Sequence, residues 1–310
     1  MCKSDAGWHI IDTGFHTDTA RSAWRETFKT LGISPTDVVE IVLTHYHPDH
    51  LGMAGVLQEM SKAPVKISSI DYKHIQSMWM IPIEINVFDQ LAKEHGMSEE
   101  LRNIIYAKGK ENLQLVRPFP EFTTFEEGET FYWGETFVAI HAPGHADGHM
   151  VFYSENSRLL VCGDVLLPKI TPNIGYLTGM NPNPLGSYLH TLEKLQKYSL
   201  DMVLPGHRNI YADGNRRADE LVNHHRQRLR EILDVIVQPL TAAQITRIVF
   251  SHINSSRSAM QHRFAFQETL AHLIYLEQNG EVVRKKTKEG IYVFSRKPAE
   301  NKPQERPSLL

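Results

Sequence analysis

The stretch Thr44-His45-Tyr46-His47-Pro48-Asp49-His50-Leu51-Gly52 places three histidines and one aspartate within six consecutive positions. It directly follows the apolar run 38–43, whose length and β-branched content are typical of a buried strand. Neutral imidazoles and carboxylates are preferred ligands of divalent transition metals. The H-x-H-x-D-H pattern therefore predicts a metal site at a strand end, in preference to an exposed histidine-rich turn.

The composition of the chain limits the classes of protein to which it can belong. Its 310 residues are enough for one large domain and a small one, and its formal net charge is −3. Any basic surface for nucleic acid must therefore be local. The two cysteines, Cys2 and Cys162, indicate no disulfide framework. We find no signal peptide or membrane-spanning run, so we expect a cytoplasmic protein without membrane association.

Apolar runs alternate with amphipathic helical stretches over the first two hundred residues, which indicates an α/β or a layered α+β domain. Each run is followed by Gly, Pro, Asp or His, so the candidate ligands lie at strand ends. The predicted strands are 9–11, 38–43, 137–140, 150–153, 158–162 and 202–204.

The domain organisation follows from where these patterns change. We predict a main domain at 1–237, interrupted by a helical insertion at about 68–111, a small domain at 238–297 and a disordered tail at 298–310. The insertion carries the apolar stretch 78–83, which either forms a lid over a substrate pocket or packs as ordinary helix on the sheet.

The small domain has the element order of a winged helix. A helix start at Thr241, helical periodicity over 263–277, a turn at Asn279-Gly280 and a hairpin of 282–283 with 291–294 give helix, helix, hairpin. The basic stretch 224–228 just before it is interpreted as a solvated helix face.

Four short segments elsewhere complete a constellation with the histidine motif, although each alone is a common turn. They are Ile11-Asp12-Thr13-Gly14, Ala142-Pro143-Gly144-His145, Cys162-Gly163-Asp164 and Pro205-Gly206-His207. With these residues the chain resembles the metallo-β-lactamase-fold hydrolase superfamily over roughly 7–235. The resemblance implies an α+β fold, an αβ/βα sandwich of two sheets flanked by helices, with the small winged-helix-like domain at its C-terminus.

The resemblance also implies a set of metal ligands. His45, His47 and His145 would bind one divalent ion and Asp49, His50 and His207 a second, with Asp164 bridging them, while Asp12 would support the site from outside. Zinc is the expected metal, with manganese or iron as alternatives. Two close cations need a shared anion, and water between them becomes a hydroxide nucleophile near neutral pH. Asp49 and Asp164 are therefore assigned catalytic roles as well.

The expected reaction is hydrolysis of a small-molecule ester or thioester. The segment Ala142-Pro143-Gly144-His145-Ala146-Asp147-Gly148-His149 and the Cys-Gly-Asp triplet resemble the glyoxalase II-like branch of the superfamily. The small domain differs from the helical part that glyoxalase II uses for glutathione, so glutathione thioesters are not assigned. One further departure is that only about eight residues precede the strand that ends at Asp12, where family members have one or two additional strands.

Two other classes of function stay open. A metal domain followed by a winged helix also resembles the lactamase-beta-like endoribonucleases. Between residues 238 and 297 nine Lys or Arg stand against four Asp or Glu, including Arg284, Lys285 and Lys286 on the predicted wing, so phosphodiester cleavage of RNA is the main alternative. The third class is a non-enzymatic module that binds nucleic acid or protein. The sequence does not indicate an oligomeric state.

Overall fold

The computed structural model describes residues 1–81, 84–251 and 258–297. Its first sheet has five strands in chain order, in which the first pair is antiparallel and the others are parallel. These strands are β1 (Cys2–Ser4), β2 (Gly7–Ile11), β3 (Val38–Val42), β4 (Val65–Ser68) and β5 (Phe122–Phe125).

The second sheet has six strands in the order β11-β10-β9-β8-β7-β6, with only the β9–β10 pair parallel. Its members are β6 (Thr130–Tyr132), β7 (Thr136–His141), β8 (Met150–Ser154), β9 (Leu159–Gly163), β10 (Met202–Pro205) and β11 (Tyr211–Ala212).

Ten α-helices and a C-terminal hairpin complete the described part of the chain. The helices are α1 (Asp18–Leu31), α2 (Pro48–Leu51), α3 (Ala54–Ser61), α4 (Ser69–Ile75), α5 (Glu84–Glu94), α6 (Glu99–Asn112), α7 (Pro184–Leu195), α8 (Gly214–Val235), α9 (Ala242–Val249) and α10 (Ala259–Gln278). The hairpin strands are β12 (Val282–Lys286) and β13 (Tyr292–Arg296).

Three apolar clusters define the layers. Val42 and Phe125 of the first sheet pack with Phe152 and Val161 of the second, so the two sheets face each other. The outer side of the first sheet packs on helices α3 and α4, and its apolar cluster extends through α5, α6, α9 and α10. The outer side of the second sheet packs on α7 and α8. This arrangement confirms the αβ/βα sandwich, because each sheet buries one face against its partner and the other against helices.

The structure agrees with the six predicted strands but contains others that the apolar runs did not indicate. β4 and β5 flank the helical segment, and Thr123 and Thr124 of β5 are exposed, so the apolar signal there is weak. The residues before Asp12 form both β1 and β2, and β1 is a short edge strand. Among the described residues, no helix is both long enough and apolar enough to cross a bilayer.

The C-terminal segment has the predicted order of helix, helix and hairpin. A capping box at Thr241 and Gln244 begins α9, and an isolated bridge joins Leu240 to Phe294. Helix α10 is the most deeply placed part, because Phe266, Leu270 and Leu273 belong to the same apolar cluster as the first sheet. The boundary at 237 stays a prediction, and the predicted disordered tail 298–310 lies outside the described residues.

Candidate metal centre

The donor side chains come together because the strands that precede them end at the same edge of the sandwich. Asp12 directly follows β2, and His45 comes three residues after β3. Asp164 directly follows β9, and His207 comes two residues after β10. His145 lies in the β7–β8 loop. Rigid strands thus place the donors, whereas short loops only turn them inward.

One group of donors consists of His45, His47 and His145. The His47 Nδ1 atom lies 3.0 Å from His45 Nε2 and 2.9 Å from His145 Nε2. The Nδ1 atom of His145 lies 2.8 Å from the Asn173 carbonyl oxygen, which can only accept, so this nitrogen carries the proton. The Nε2 atom of His145 is consequently unprotonated, and its lone pair points at the other two rings.

His45 is fixed in the same tautomer through Thr44 and Asp12. The Thr44 hydroxyl donates to Asp12 Oδ2 at 2.8 Å and therefore accepts from His45 Nδ1 at 2.9 Å. The Nε2 atom of His45 is therefore also unprotonated, and its lone pair faces the other two histidines of the group. Burial, and secondarily the neighbouring imidazoles, hold the pKa of His45 well below its usual range, and burial lowers the pKa of His47 to about 3. These rings are neutral, as metal ligation requires.

A second group consists of Asp49, His50 and His207, and a third arrangement joins Asp164 to His45 and His50. His207 Nε2 lies 3.0 Å from Asp49 Oδ2 and 3.4 Å from Asp164 Oδ2, while His50 Nε2 lies 3.4 Å from Asp164 Oδ1. Asp164 is buried and reaches His145 as well, at 3.6 Å. It therefore stands between the two groups of donors, where a bridging carboxylate is needed.

The second group differs electrostatically from the first. Hydrogen bonds to Asp164 and Asp49 raise the pKa of His207 to about 9. Burial would raise the pKa of Asp164, but His207 and His50 outweigh it and hold this pKa well below the usual range. Protons on histidines therefore balance the carboxylates in this group. A bound cation would supply the same positive charge.

Asp12 acts from behind the donors, as predicted. Its carboxylate accepts from the Thr44 amide at 2.8 Å and from His50 Nδ1 at 2.8 Å, which leaves His50 Nε2 directed at Asp164. Its backbone φ is 56°, in the left-handed region that is costly for a side-chain-bearing residue. This strained backbone conformation accompanies the contacts of one carboxylate with both Thr44, after β3, and the ring of His50.

Asp71 is a supporting residue that the sequence did not indicate. Its buried carboxylate accepts from the Gly148 amide at 2.7 Å and from the Tyr46 amide at 3.1 Å. It thereby ties the H-x-H loop to the loop that carries His145. Trp79 adds a hydrogen bond from Nε1 to the Tyr46 carbonyl at 3.0 Å, from a single π-helical turn at Gln76–Met80. An aspartate inside a helical stretch carries no motif that would have revealed this role.

The other histidines near the site take no place in the three donor groups. His149 is fully buried and stacks on His45 with ring centroids 4.6 Å apart, and its Nε2 accepts from the Asp164 amide at 3.2 Å. His141 Nε2 lies 2.7 Å from the Asp147 carbonyl oxygen. One ring nitrogen of each of these two histidines is thereby engaged with the backbone.

The donor set has the chemistry of a site for divalent ions. Two lone-pair nitrogens and His47 Nδ1 converge within about 3 Å, an arrangement that at most one proton can satisfy. The buried atoms His50 Nε2 and Asp164 Oδ1 have no hydrogen-bond partner. Buried polar atoms are rarely left unsatisfied, and here they face each other between the two groups. The described residues thus fit one or two cations, although the ligand assignment stays a prediction.

A family model described as the metallo-beta-lactamase superfamily matches residues 2–207. The chain belongs to the metallo-beta-lactamase superfamily. A second model, described as the metallo-beta-lactamase-like C-terminal domain, matches residues 229–297. The resemblance to the superfamily is confirmed. The glyoxalase II-like branch and the winged-helix name stay predictions.

Similar proteins cover nearly the whole chain. The crystal structure of a metallo-beta-lactamase family protein from Thermus thermophilus is 31% identical, with a TM-score of 0.83, over 95% of this chain and 92% of its own. A beta-lactamase domain protein from Burkholderia ambifaria is 27% identical, with a TM-score of 0.82, over 96% and 86%. A probable metallo-hydrolase from Bacillus subtilis is 24% identical over 89% of this chain and 86% of its own length.

A cavity of about 510 Å³ opens onto the donor side chains of the candidate metal centre. Five of the seven predicted ligands line it: His47, Asp49, His145, Asp164 and His207. Much of its remaining surface is apolar, contributed by the helical segment after β4, by the loop after β9 and by helix α10. Its volume suits a small organic ligand.

Proposed function

We propose that the protein is a dinuclear metal-dependent hydrolase of small-molecule esters or thioesters. His45, His47 and His145 would hold one divalent ion and Asp49, His50 and His207 the other, with Asp164 between the two groups. The observation that carries this proposal is that the donors converge in three groups and that five of them lie on the wall of a largely apolar cavity. Zinc is the expected metal, with manganese or iron as alternatives.

When bound, two such ions activate water as a nucleophile and polarise the oxygen of the substrate that accumulates negative charge. The residues of the chain supply the rest of the chemistry. Asp164 provides the shared negative charge, Asp12 keeps His50 and Thr44 oriented, and Asp71 holds the two ligand-bearing loops together. The apolar wall excludes bulk water from the reacting group, which strengthens electrostatic interactions there.

Contacts of the hairpin weigh against the endoribonuclease alternative. Arg284 lies 3.2 Å from Glu277 and over the Tyr292 ring, and Lys286 lies 3.5 Å from Glu94. Two of the three wing cations thus have acidic partners within the protein, which reduces the positive field available to a phosphate backbone. A purely non-enzymatic role leaves the convergent donors without a purpose.

The test is a paired turnover assay on protein of measured metal content, with acyl esters and thioesters beside single-stranded RNA. We expect ester or thioester hydrolysis that Asp164→Ala and His47→Ala each abolish without loss of the far-ultraviolet circular dichroism spectrum. RNA cleavage lost in the same variants would establish the nuclease instead. Turnover that survives in either variant would contradict the two-metal site.

A further inference from the structure

One face of helix α10 lines the cavity beside the donors. Met260, Arg263, Phe264 and Gln267 are spaced i, i+3, i+4 and i+7, which is a single helical face, and all four contribute to the cavity wall. The C-terminal segment is therefore part of the same cavity as the candidate metal centre. Substrate contacts from this segment follow from its position.

The inner wall of the cavity is apolar. Met78, Trp79, Ile85 and Leu177 line it, and each side chain is at most 8% exposed. Trp79 is held in place by its hydrogen bond to the Tyr46 carbonyl, so this wall is fixed relative to the H-x-H loop. A surface of this kind gains free energy by removing hydrocarbon from water.

Three amide side chains of the wall, those of Asn173, Asn181 and Gln267, are engaged with the protein. Asn173 Nδ2 donates to the Phe264 carbonyl at 3.2 Å, and Asn181 Nδ2 donates to Ser187 Oγ at 2.9 Å. Gln267 accepts from Arg263 Nε at 3.1 Å and donates to the Tyr176 carbonyl at 3.4 Å. These side chains shape the wall, and the hydrogen-bonding groups used in these contacts are turned away from a ligand.

Apolar surface continues from the inner wall to the solvent. Phe15, Ile170 and Phe264 also line the cavity and are 41%, 39% and 44% exposed. Large apolar side chains with that exposure around one opening form an exposed apolar patch, and such patches mark binding sites. The cavity, at about 510 Å³, is larger than an acetyl group requires.

We propose that the α10 face and the inner wall form a subsite for a hydrophobic acyl chain, so that the substrate is an acyl ester or thioester with a medium or long chain. This inference rests on the proposed hydrolase function. The C-terminal segment then sets acyl-chain specificity. Because α10 packs into the main core, its cavity-lining face lies at a fixed distance from the donors.

The test is a chain-length series on the metal-loaded protein, from acetyl through butanoyl, hexanoyl and octanoyl to decanoyl thioesters of one leaving group. Each buried methylene is worth about fourfold in binding, so kcat/KM should rise by about 15-fold for each two-carbon step until the cavity is filled. A flat series with measurable acetyl turnover would overturn the subsite and leave the hydrolase proposal intact.

A variant pair locates the subsite. Phe264→Ala should lower kcat/KM for the longest acyl chains about tenfold, chiefly by raising KM, because it removes apolar wall next to the chain. Ile248→Ala is the matched control, since it removes an apolar side chain that is 47% exposed on α9, outside the cavity. An equal response of the two variants would overturn the assignment to α10.

A binding measurement separates the two proposals. A decyl thioether, which lacks the thioester carbonyl and cannot be hydrolysed, should bind with a negative heat-capacity change, and the corresponding ethyl thioether should bind far more weakly. Binding of this kind without turnover of any thioester would support the subsite and contradict the hydrolase. Equal affinity for the two thioethers would contradict the subsite whatever the activity.

Discussion

Three histidines of the candidate centre are each oriented by a second group that fixes the position of the ring proton. The Asn173 carbonyl oxygen does this for His145, Thr44 for His45 and Asp12 for His50. The seven donors were predictable because four local motifs contain them. The orienting residues were predictable only when they lie in a motif, as Asp12 does; Asp71 and Asn173 lie elsewhere in the chain and are ordinary residue types for their surroundings.

Asp71→Asn should weaken metal binding by about ten- to a hundredfold, as expected for a residue that positions ligands. The amide retains one acceptor, so one of the two backbone amides at Tyr46 and Gly148 loses its partner and the loops separate. Chelator competition measures the affinity, and the absorption spectrum of the cobalt-substituted protein reports ligand geometry. Asp5→Asn, at the exposed turn before β2, is the control. Unchanged affinity and spectrum would remove Asp71 from the account.

Glu40 links both sheets away from the metal centre. It accepts from Lys66 Nζ at 2.9 Å and from Trp133 Nε1 at 2.8 Å, and it contacts His9. Burial raises the pKa of Glu40, but these hydrogen bonds and the Lys66 charge outweigh it, so the net pKa lies below the usual value. A depressed carboxyl pKa adds stability above the unfolded-state pKa, and this contribution is lost as the pH falls through the folded-state pKa.

Lys66→Met should therefore lower the free energy of unfolding by about 1 kcal/mol at neutral pH, at the low end for a charged hydrogen bond because Lys66 is partly exposed. Urea unfolding from neutral to acidic pH measures the difference from the unmodified protein, which should shrink below the usual pKa of glutamate. Lys197→Met, at an exposed position, serves as the comparison. A difference that is independent of pH would show that Glu40 is not the partner responsible.

At the scale of elements, the strand ends were predictable and the helical packing was not. The apolar runs that mark β2, β3, β7, β8, β9 and β10 are local, and predicted ligands lie within a few residues after four of them, β3, β7, β9 and β10. By contrast, the stretch 224–228 was interpreted as a solvated face, and His225 is fully buried, with Nδ1 3.1 Å from His272 Nε2. The covering helix α10 comes from a distant part of the chain, so no local pattern could show it.

Gly206 allows the end of β10 to approach the centre. A Cβ there would lie 2.6 Å from Asp164 Oδ1 and 2.7 Å from His50 Cε1. Gly206→Ala should thus reduce metal affinity about tenfold or more by displacing two donors. Gly109→Ala, whose Cβ would meet nothing closer than 3.5 Å, should leave the affinity unchanged. Calorimetric titration with zinc distinguishes the two, and an unaffected Gly206→Ala protein would contradict the close packing.

At the scale of the whole molecule, the C-terminal segment is built into the main core. Its element order was predictable from capping and turn signals, but its role was not, because the α10 face that lines the cavity has no motif. Leu270 and Leu273 pack in the same apolar cluster as Ile10 and Ile41 of the first sheet. Contacts between residues so far apart in sequence are fixed by the tertiary fold and leave no periodic signal that identifies the partner.

This integration predicts cooperative unfolding. Leu273 is fully buried, so Leu273→Ala should cost about 2–5 kcal/mol of stability. The four tryptophans all lie within the first 133 residues, so their fluorescence reports on the metallo-beta-lactamase domain. The fluorescence transition should move together with the circular dichroism transition in this variant, whereas Ile248→Ala should shift neither by much. A fluorescence transition at the same midpoint with and without Leu273→Ala would contradict a shared core.

The most direct test of the two-metal hydrolase is turnover of an acyl thioester by metal-free protein as zinc is added in known amounts. The account predicts no turnover without metal, a rise to a plateau at two equivalents per chain, and no turnover at any ratio for Asp164→Ala. Full activity without metal, or a plateau at one equivalent, would contradict it.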